Sequence, residues 1–159
     1  GTRVITFDPY VPEEVSRSFD VEKVELDEFL RQADYISCHL PVTPDTVSFF
    51  RKEIFDQCKD GVVFINTSRG AVVNEADLAD ALDRGKVSYA GLDVLNDEHP
   101  DLHTHVLAHR ENVIITPHAA FYSASARKNG RIEAAQSIMS YMEGRYAQAP
   151  VRNGVRGRK

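Results

Sequence analysis

The amino-acid sequence predicts an α/β fold built on a doubly wound parallel sheet. Short apolar runs rich in β-branched residues recur along the chain without strict polar alternation, a pattern typical of strands buried on both faces. These runs are RVITF, DYISCHL, VVFINT, SYAGLDV and NVIITP. Stretches with helical spacing lie between them, and strands that alternate with helices of this length favour right-handed crossovers in one sheet.

The predicted helices are identified by apolar residues three or four positions apart. These positions are Leu26, Phe29 and Leu30, then Phe50, Ile54, Phe55 and Cys58, then Leu78, Ala81 and Leu82. Asn74 is expected to cap the third helix at the amide of Asp77, and Gly85 to end it. A last helix is expected over about 124–142, closed by Gly144, with one apolar side formed by Ile132, Ala135, Ile138, Met139 and Met142.

Composition bounds the class of protein. The 159 residues, 42% of them hydrophobic, suffice for one domain with a core. A net charge of −5 argues against a nucleic-acid face, and the one basic run, VRNGVRGRK, is expected to be a solvated end. Cys38 and Cys58 lie in apolar surroundings, which favours reduced thiols and a cytoplasmic location. No apolar run reaches the roughly 18 residues of a membrane span.

Polar residues stand at the predicted carboxyl end of nearly every strand, where open parallel sheets bind ligands. They are Asp8, His39, Thr67, Ser68, Arg69, Asp93 and His118. Arg69 follows a buried apolar run and precedes a glycine, so its guanidinium is expected to face a ligand rather than the core. The sequence therefore predicts a binding site at this edge of the sheet.

Several ordered motifs resemble the D-isomer-specific 2-hydroxyacid dehydrogenases over nearly the whole chain. They are FDPY, CHLPVTPDT, INTSRGAVVNEADLADAL, AGLDV followed by Glu98, and NVIITPHAAFYS. TPHAAFYS together with GRYAQAPVRN is most similar to the branch that contains the C-terminal binding protein corepressors. The resemblance implies a Rossmann-type fold, the cofactor NAD, a small 2-oxo or 2-hydroxy acid substrate and a homodimer in the full-length protein.

The resemblance also implies three catalytic residues. Arg69 would hold the substrate carboxylate and polarise the adjacent carbonyl, His118 would be the acid/base, and Glu98 would pair with His118. The chemistry agrees, because a guanidinium binds a carboxylate with a planar fork and a carboxylate favours the protonated form of a neighbouring histidine. The alternatives are a surface arginine for Arg69, a core histidine for His118 and a loop carboxylate for Glu98. His99 stands where the family usually has proline, and this departure favours the alternative for Glu98.

Cofactor-binding residues are also implied. Asp8, at the end of a strand, would accept hydrogen bonds from the adenosine ribose hydroxyls and repel a 2′-phosphate, which favours NAD over NADP. The alternative is an aspartate that forms a turn before Pro9. The other expected cofactor residues are Leu40, Pro41, Thr43, Thr46, Thr67, Ser68, Arg69, Asp93 and His118. The histidines of HPDLHTHVLAHRE match no compact ligand spacing, so no metal is expected.

One family feature is missing from the sequence. No G-x-G-x-x-G precedes GTRVITF, so the fold is expected to be a partial Rossmann-type sheet without its first strand and glycine-rich turn. In the usual strand order of this fold, the missing first strand lies between the strand that ends at Asp8 and the strand that ends at His39. The sheet is therefore expected to be split at its centre. Residues 1–144 are expected to be the carboxyl-terminal part of an NAD-binding domain, and residues 145–159 a tail. The predicted function is NAD-dependent oxidation and reduction of small hydroxy acids, and the alternative is an NAD(H)-responsive corepressor-like binding protein.

Overall fold

The computed structural model describes residues 1–145, which fall into two compact units, one formed by Gly1–His118 and one beginning at Ala119. The predicted tail is described only at its first residue, Arg145. The GRYAQAPVRN motif is described only at Gly144 and Arg145, and the rest of it lies outside the described residues. The strands are β1 Ile5–Thr6, β2 Glu22–Lys23, β3 Tyr35–Cys38, β4 Val62–Asn66, β5 Val87–Leu92 and β6 Val113–Ile115. The helices are α1 Glu13–Ser18, α2 Leu26–Gln32, α3 Lys52–Gln57, α4 Glu75–Asp83 and α5 Ala124–Met142, and a 3-10 turn spans Gly70–Val72.

The predicted parallel α/β sheet is confirmed, and so is its central break. Strands β3, β4, β5 and β6 form one sheet in that order, whereas β1 and β2 form a separate two-stranded sheet. All of the strand pairs are parallel. A cavity of about 700 Å³ is lined both by residues 2–8 and by residues 35–40. The two sheets thus flank an open space at the position where the family's first strand is expected.

The core of the first unit lies between the four-stranded sheet and helices α2, α3 and α4. Its largest fully buried side chains include Phe55, Phe64, Leu30, Ile36 and Leu78. Phe64 meets Phe50 and Phe55 with ring centroids 4.7 and 5.5 Å apart, which adds aromatic pairing to the burial of apolar area. This packing holds the strands in register and thereby sets where their carboxyl ends lie.

The sequence signals at the ends of α4 and α5 are confirmed. Asn74 Oδ1 accepts the amide hydrogens of Ala76 and Asp77, both at 3.1 Å, and satisfies two donors that the first helical turn leaves unpaired. Helix α4 ends before Gly85, whose φ of +70° lies in the left-handed region. In the second unit, α5 begins after the cap Ser123, and Gly144 follows it with φ of +72°.

Some expectations about the elements are wrong. Helix α1 and strand β2 were not predicted, because their short, charged sequences carry no apolar period. Phe50 is not helical: it forms an isolated parallel bridge with Val73 before α3 begins. Cys58 is the residue after the last turn of α3. In both cases the apolar spacing reports burial against the sheet rather than membership of the helix.

Burial on both faces of the strands was predicted, and the structure shows burial on one. Ile36, Phe64 and Ala90 are aligned across the sheet and are at most 3% exposed. On the opposite face, Tyr35 and Tyr89 are 69% and 60% exposed. Residues Gly1–His118 therefore supply a covering layer for one face only, although the sequence is apolar on both.

None of the helices within residues 1–145 is both long and apolar enough to cross a membrane.

Cys58 provides a test of the buried layer. Both cysteines are free and buried, as predicted, and burial raises the pKa of the Cys58 thiol from its ordinary value of 9.0 to about 11. Between these pH values the folded state keeps a proton that the unfolded state loses, so stability falls as pH rises through this window. We expect the free energy of unfolding, measured with urea, to fall more steeply in the wild type than in Cys58→Ala above about pH 9. Parallel curves for the two proteins would contradict the assigned burial.

Candidate functional site

A cleft of about 550 Å³ lies at the carboxyl ends of β4, β5 and β6. Its lining includes the three predicted catalytic residues, Arg69, Glu98 and His118, together with Asp93. Each belongs to a loop that follows a different strand: Arg69 follows β4, Asp93 and Glu98 follow β5, and His118 follows β6. The parallel register pairs Asn66 with Leu92 and Leu92 with Ile115, so the three strands end level with one another. Their loops therefore open into the same space.

The loop that carries Arg69 is held by hydrogen bonds and by close packing against the loop that follows β5. Asn66, the last residue of β4, donates from Nδ2 to the Arg69 carbonyl at 2.9 Å, while Arg69 Nη1 donates to the Ser68 carbonyl at 2.6 Å. A Cβ atom on Gly70 would lie 2.1 Å from the carbonyl carbon and oxygen of Leu95. Only glycine fits there, because main-chain atoms cannot move aside as a flexible side chain can. Arg69 precedes a glycine because the β5 loop passes against that position.

His118 is held through its main chain. Its φ is +51°, in a region uncommon for residues with a side chain, and such backbone must be secured by its surroundings. Its amide donates to the carbonyls of Asp93 at 2.9 Å and Thr116 at 3.0 Å. Asp93 is 4% exposed, and its Oδ1 accepts from Thr116 Oγ1 at 2.5 Å. His118 itself is exposed, which does not fit the alternative of a core histidine.

Glu98 is exposed, and the loop that carries it is anchored at Asn96. Glu75 Oε1 accepts the amide hydrogen of Asn96 at 2.8 Å, and Asn96 Nδ2 donates to the Val73 carbonyl at 3.2 Å. Glu75 Oε2 lies 3.3 Å from His105 Nε2. Because His105 Nδ1 accepts the amide hydrogen of Leu107, Nε2 carries the proton that is donated to Glu75. The start of α4 thus fixes the base of the Glu98 loop.

The expected cofactor residues are divided between two places. Arg69, Asp93 and His118 line the cleft, whereas Asp8 and Leu40 line the cavity between β1 and β3. Asp8 Oδ1 accepts the amides of Tyr10 at 2.8 Å and Val11 at 3.1 Å, which is the turn-forming role considered as its alternative. One carboxylate oxygen therefore shapes the turn at the end of β1.

The two hydroxyl-bearing loops are organised internally. Thr46 Oγ1 donates to the Pro41 carbonyl at 2.6 Å and accepts the amide hydrogen of Thr43 at 2.7 Å, so it fixes the shape of the loop after β3. Ser68 bonds to Asn66 through both its amide and its hydroxyl, and Thr67 is exposed. Among residues 1–145 no three His, Cys, Asp or Glu side chains are grouped so that they could hold a metal ion.

Sequence reasoning missed three residues that shape the cleft: Asn66, Glu75 and Thr116. Asn66 carried a usable signal, since it is an amide at the end of the apolar run VVFIN and a buried amide needs partners. Glu75 carries only a local signal in the sequence, a negative charge in the first turn of α4. Its contact with Asn96 joins positions 21 residues apart, which sequence spacing does not reveal.

A parallel α/β sheet with charged side chains around one cleft at its carboxyl edge is typical of the class of Rossmann-type ligand-binding domains. The sequence model described as D-isomer specific 2-hydroxyacid dehydrogenase, NAD binding domain, matches residues 1–120. The chain belongs to this family. The matched domain is the NAD-binding one, so NAD is its cofactor.

Known relatives agree with this assignment. The chain is 37% identical to D-3-phosphoglycerate dehydrogenase 2, chloroplastic, of Arabidopsis thaliana, over 95% of this chain and 24% of that protein. It is 38% identical to hydroxypyruvate reductase of Blautia hydrogenotrophica, over 91% of this chain and 44% of that protein. The chain thus spans from about a quarter to under half of the length of these relatives.

Solved structures show the same fold. A D-lactate dehydrogenase from Treponema pallidum matches with a TM-score of 0.80 and 33% identity, over 91% of this chain and 46% of that one. D-lactate dehydrogenase from Aquifex aeolicus, complexed with NAD and lactic acid, matches with a TM-score of 0.76 and 34% identity, over 91% and 47%. These relatives are enzymes, and the likeness to the corepressor branch stays a prediction.

The close approach at Gly70 can be tested with a matched pair of variants in the full-length protein. Gly70→Ala should lower the free energy of unfolding by roughly 1–3 kcal/mol or more, since main chain must move. Gly91→Ala, whose added Cβ meets only a side-chain carbon of Ile65 at 3.9 Å, should be tolerated. Urea unfolding of both variants measures the difference. Equal losses would mean that the two loops do not touch as described.

Proposed function

We propose that the chain is the carboxyl-terminal part of the NAD-binding domain, residues 1–144, of an NAD-dependent oxidoreductase. The enzyme would interconvert a small 2-oxo acid and the corresponding D-2-hydroxy acid. The observation that carries the proposal is the convergence of Arg69, Glu98 and His118 on one cleft. Family membership supports it, because the chain matches enzymes of this reaction class over nearly all of its own length.

The cleft residues suit the two requirements of the reaction. The bound nicotinamide supplies or accepts the hydride at C2 of the substrate. Arg69 is exposed toward the cleft and can grip the substrate carboxylate with a charge-assisted, two-pronged hydrogen bond. That grip fixes C2 and draws electron density from its carbonyl. Orientation of this kind lowers the barrier because hydride and proton must reach adjacent atoms together.

His118 is the proposed proton donor in reduction and the acceptor in oxidation. Its protonated ring donates to the carbonyl oxygen as negative charge develops there. Glu98 lines the same cleft, and its carboxylate would stabilise the protonated ring. The hydrogen bonds from the His118 amide to the carbonyls of Asp93 and Thr116 support this role, because they hold the main chain that carries the imidazole ring in place during proton transfer.

The described residues fit part of an NAD molecule. Asp8 and Leu40 follow β1 and β3 and would contact the adenosine end, where a carboxylate at Asp8 disfavours a 2′-phosphate. Asp93 lines the cleft, where the nicotinamide end would lie. The glycine-rich turn that holds a pyrophosphate is not among these 159 residues. The chain would therefore hold the two ends of the cofactor better than its middle.

The assembly and location of the protein belong to the same proposal. The full-length enzyme is proposed to be a cytoplasmic homodimer, by analogy with its family and from its two free thiols. Steady reduction of glyoxylate, pyruvate or hydroxypyruvate with NADH by the full-length protein tests the enzymatic function. NADH binding without turnover would favour the corepressor-like alternative.

Arg69→Ala in the full-length enzyme should cut kcat/KM severely, since the carboxylate loses a charge-assisted pair of roughly 1.5–3 kcal/mol. That loss corresponds to about tenfold to hundredfold, and Arg69→Lys should recover only part of it. Arg51→Ala, which removes an exposed arginine paired with Glu53, is the control and should leave kcat/KM unchanged. A near-normal kcat/KM in Arg69→Ala would exclude the proposed carboxylate grip.

His118→Asn should abolish most of the reduction while NADH still binds, because the proton donor is lost and the cofactor contacts remain. Turnover measures the first effect and NADH fluorescence titration the second. His103→Asn, at an exposed loop histidine, is the control and should retain both. If His118→Asn weakens NADH binding as much as it slows turnover, His118 is a structural residue.

The 159-residue chain taken alone should bind NAD weakly and show no dehydrogenase activity. The pyrophosphate would lack its glycine-rich turn, and β1 and β3 would lack the strand that joins them. Calorimetry of the isolated chain beside the full-length protein measures the difference. Micromolar NAD binding by the isolated chain would show that its own residues supply a phosphate site.

A further inference from the structure

We infer that Asn66 is the positioning residue that sets Arg69 relative to His118. The inference rests on the proposed function, because it assigns the geometry of the same cleft to a residue that touches neither substrate nor cofactor. Asn66 is fully buried at the last position of β4, directly below the loop that carries Arg69. A buried amide in that place is costly unless all of its groups are bonded.

Both the oxygen and the nitrogen of the Asn66 side-chain amide form hydrogen bonds. Its Oδ1 accepts the Ser68 amide at 3.0 Å and the Ser68 hydroxyl at 2.8 Å. Its Nδ2 donates to the Arg69 carbonyl at 2.9 Å. One planar amide therefore bonds two successive residues of the loop, and its plane fixes the direction in which the main chain leaves at Arg69.

The main chain of Asn66 points to the other half of the cleft. Its carbonyl accepts the amide hydrogen of Asp93 at 2.9 Å, and the Asp93 carbonyl accepts the amide hydrogen of His118 at 2.9 Å. Two hydrogen bonds in series thus join Asn66 to His118, while its side chain holds Arg69. Asn66 is therefore hydrogen-bonded to the main chain that leads to each of the two proposed catalytic groups.

The amide chemistry of Asn66 is specific. Aspartate has the same shape but, when ionised, offers only acceptors, so Oδ1 could still serve Ser68 while the other oxygen would repel the Arg69 carbonyl. Leucine has a similar size but would leave the Ser68 amide without its acceptor and would remove the Nδ2 bond to the Arg69 carbonyl. Asn66→Asp is therefore the variant that disturbs Arg69 with the smallest change of packing.

A double-mutant cycle in the full-length enzyme tests the inference. A small displacement of a positioned group lowers rate by up to about hundredfold, so Asn66→Asp should reduce kcat/KM for the 2-oxo acid by about tenfold or more. The KM for NADH should change by less than kcat/KM for the acid, since the Arg69 guanidinium is proposed to hold the acid, whereas the cofactor keeps its expected contacts at Asp8 and Leu40. In an Arg69→Lys background the same substitution should cost less than about threefold, because the fork that it orients is already gone.

The control is the same chemical change at the opposite end of the sheet. Asn112 donates from Nδ2 to the Ser88 carbonyl at 3.1 Å, and Asn112→Asp should show no coupling to Arg69→Lys. Asn66→Ser, which keeps one short polar group, is the second variant in case Asn66→Asp does not fold. Equal losses in both backgrounds, or loss of NADH binding by both Asn66 variants, would make Asn66 a structural residue and overturn the inference.

Failure of the proposed function would look different. A wild-type enzyme that reduces none of glyoxylate, pyruvate and hydroxypyruvate would contradict the proposed reaction, and the role of Asn66 in it would fall too. A wild-type enzyme that is active, with additive losses in the cycle, would contradict the role of Asn66 alone.

Discussion

The level ending of β4, β5 and β6 is the constraint on which the cleft depends. Parallel ladders pair Asn66 with Leu92 and Leu92 with Ile115, so the three chains leave the sheet at the same height. Two main-chain hydrogen bonds, from Asp93 to Asn66 and from His118 to Asp93, continue this alignment into the loops. A shift of one residue in any strand would turn the terminal side chains to the opposite face and separate Arg69 from His118.

The Arg69 loop and the Glu98 loop are in contact because of a glycine. Gly70 has no side chain, and the main chain of Leu95 occupies the space where a Cβ would lie. The Arg69 loop and the Glu98 loop are therefore packed main chain to main chain, with Glu75 holding Asn96 from the start of α4. Exposed catalytic candidates are positioned in this way by buried neighbours, which is how a rigid scaffold supports functional loops.

The surfaces left open are consistent with a chain that spans under half of the length of its relatives. One face of the four-stranded sheet exposes Tyr35 and Tyr89, and within residues 1–145 β3 has no paired neighbour on the side of the cavity. Apolar strands with an uncovered face and an open edge are unusual in parallel sheets, which normally occur with helices on both faces.

The sequence by itself determined the fold class, the order of the main strands, the cap of α4 at Asn74, the extent of α5 and the family. These features follow from local signals: apolar period, capping chemistry and ordered motifs. It also indicated Arg69, Glu98 and His118 as candidates, because their motifs are local. Only the tertiary structure decided that these residues share one cleft, that Asp8 shapes a turn, and that Asn66, Gly70 and Glu75 hold the loops. The shared cleft and the contacts of Gly70 with Leu95, Glu75 with Asn96 and Asn66 with Asp93 join residues distant along the chain, and they exist only once the strands are in register. The bonds of Asp8 and of the Asn66 side chain are local, but they depend on side-chain directions that the sequence pattern does not specify.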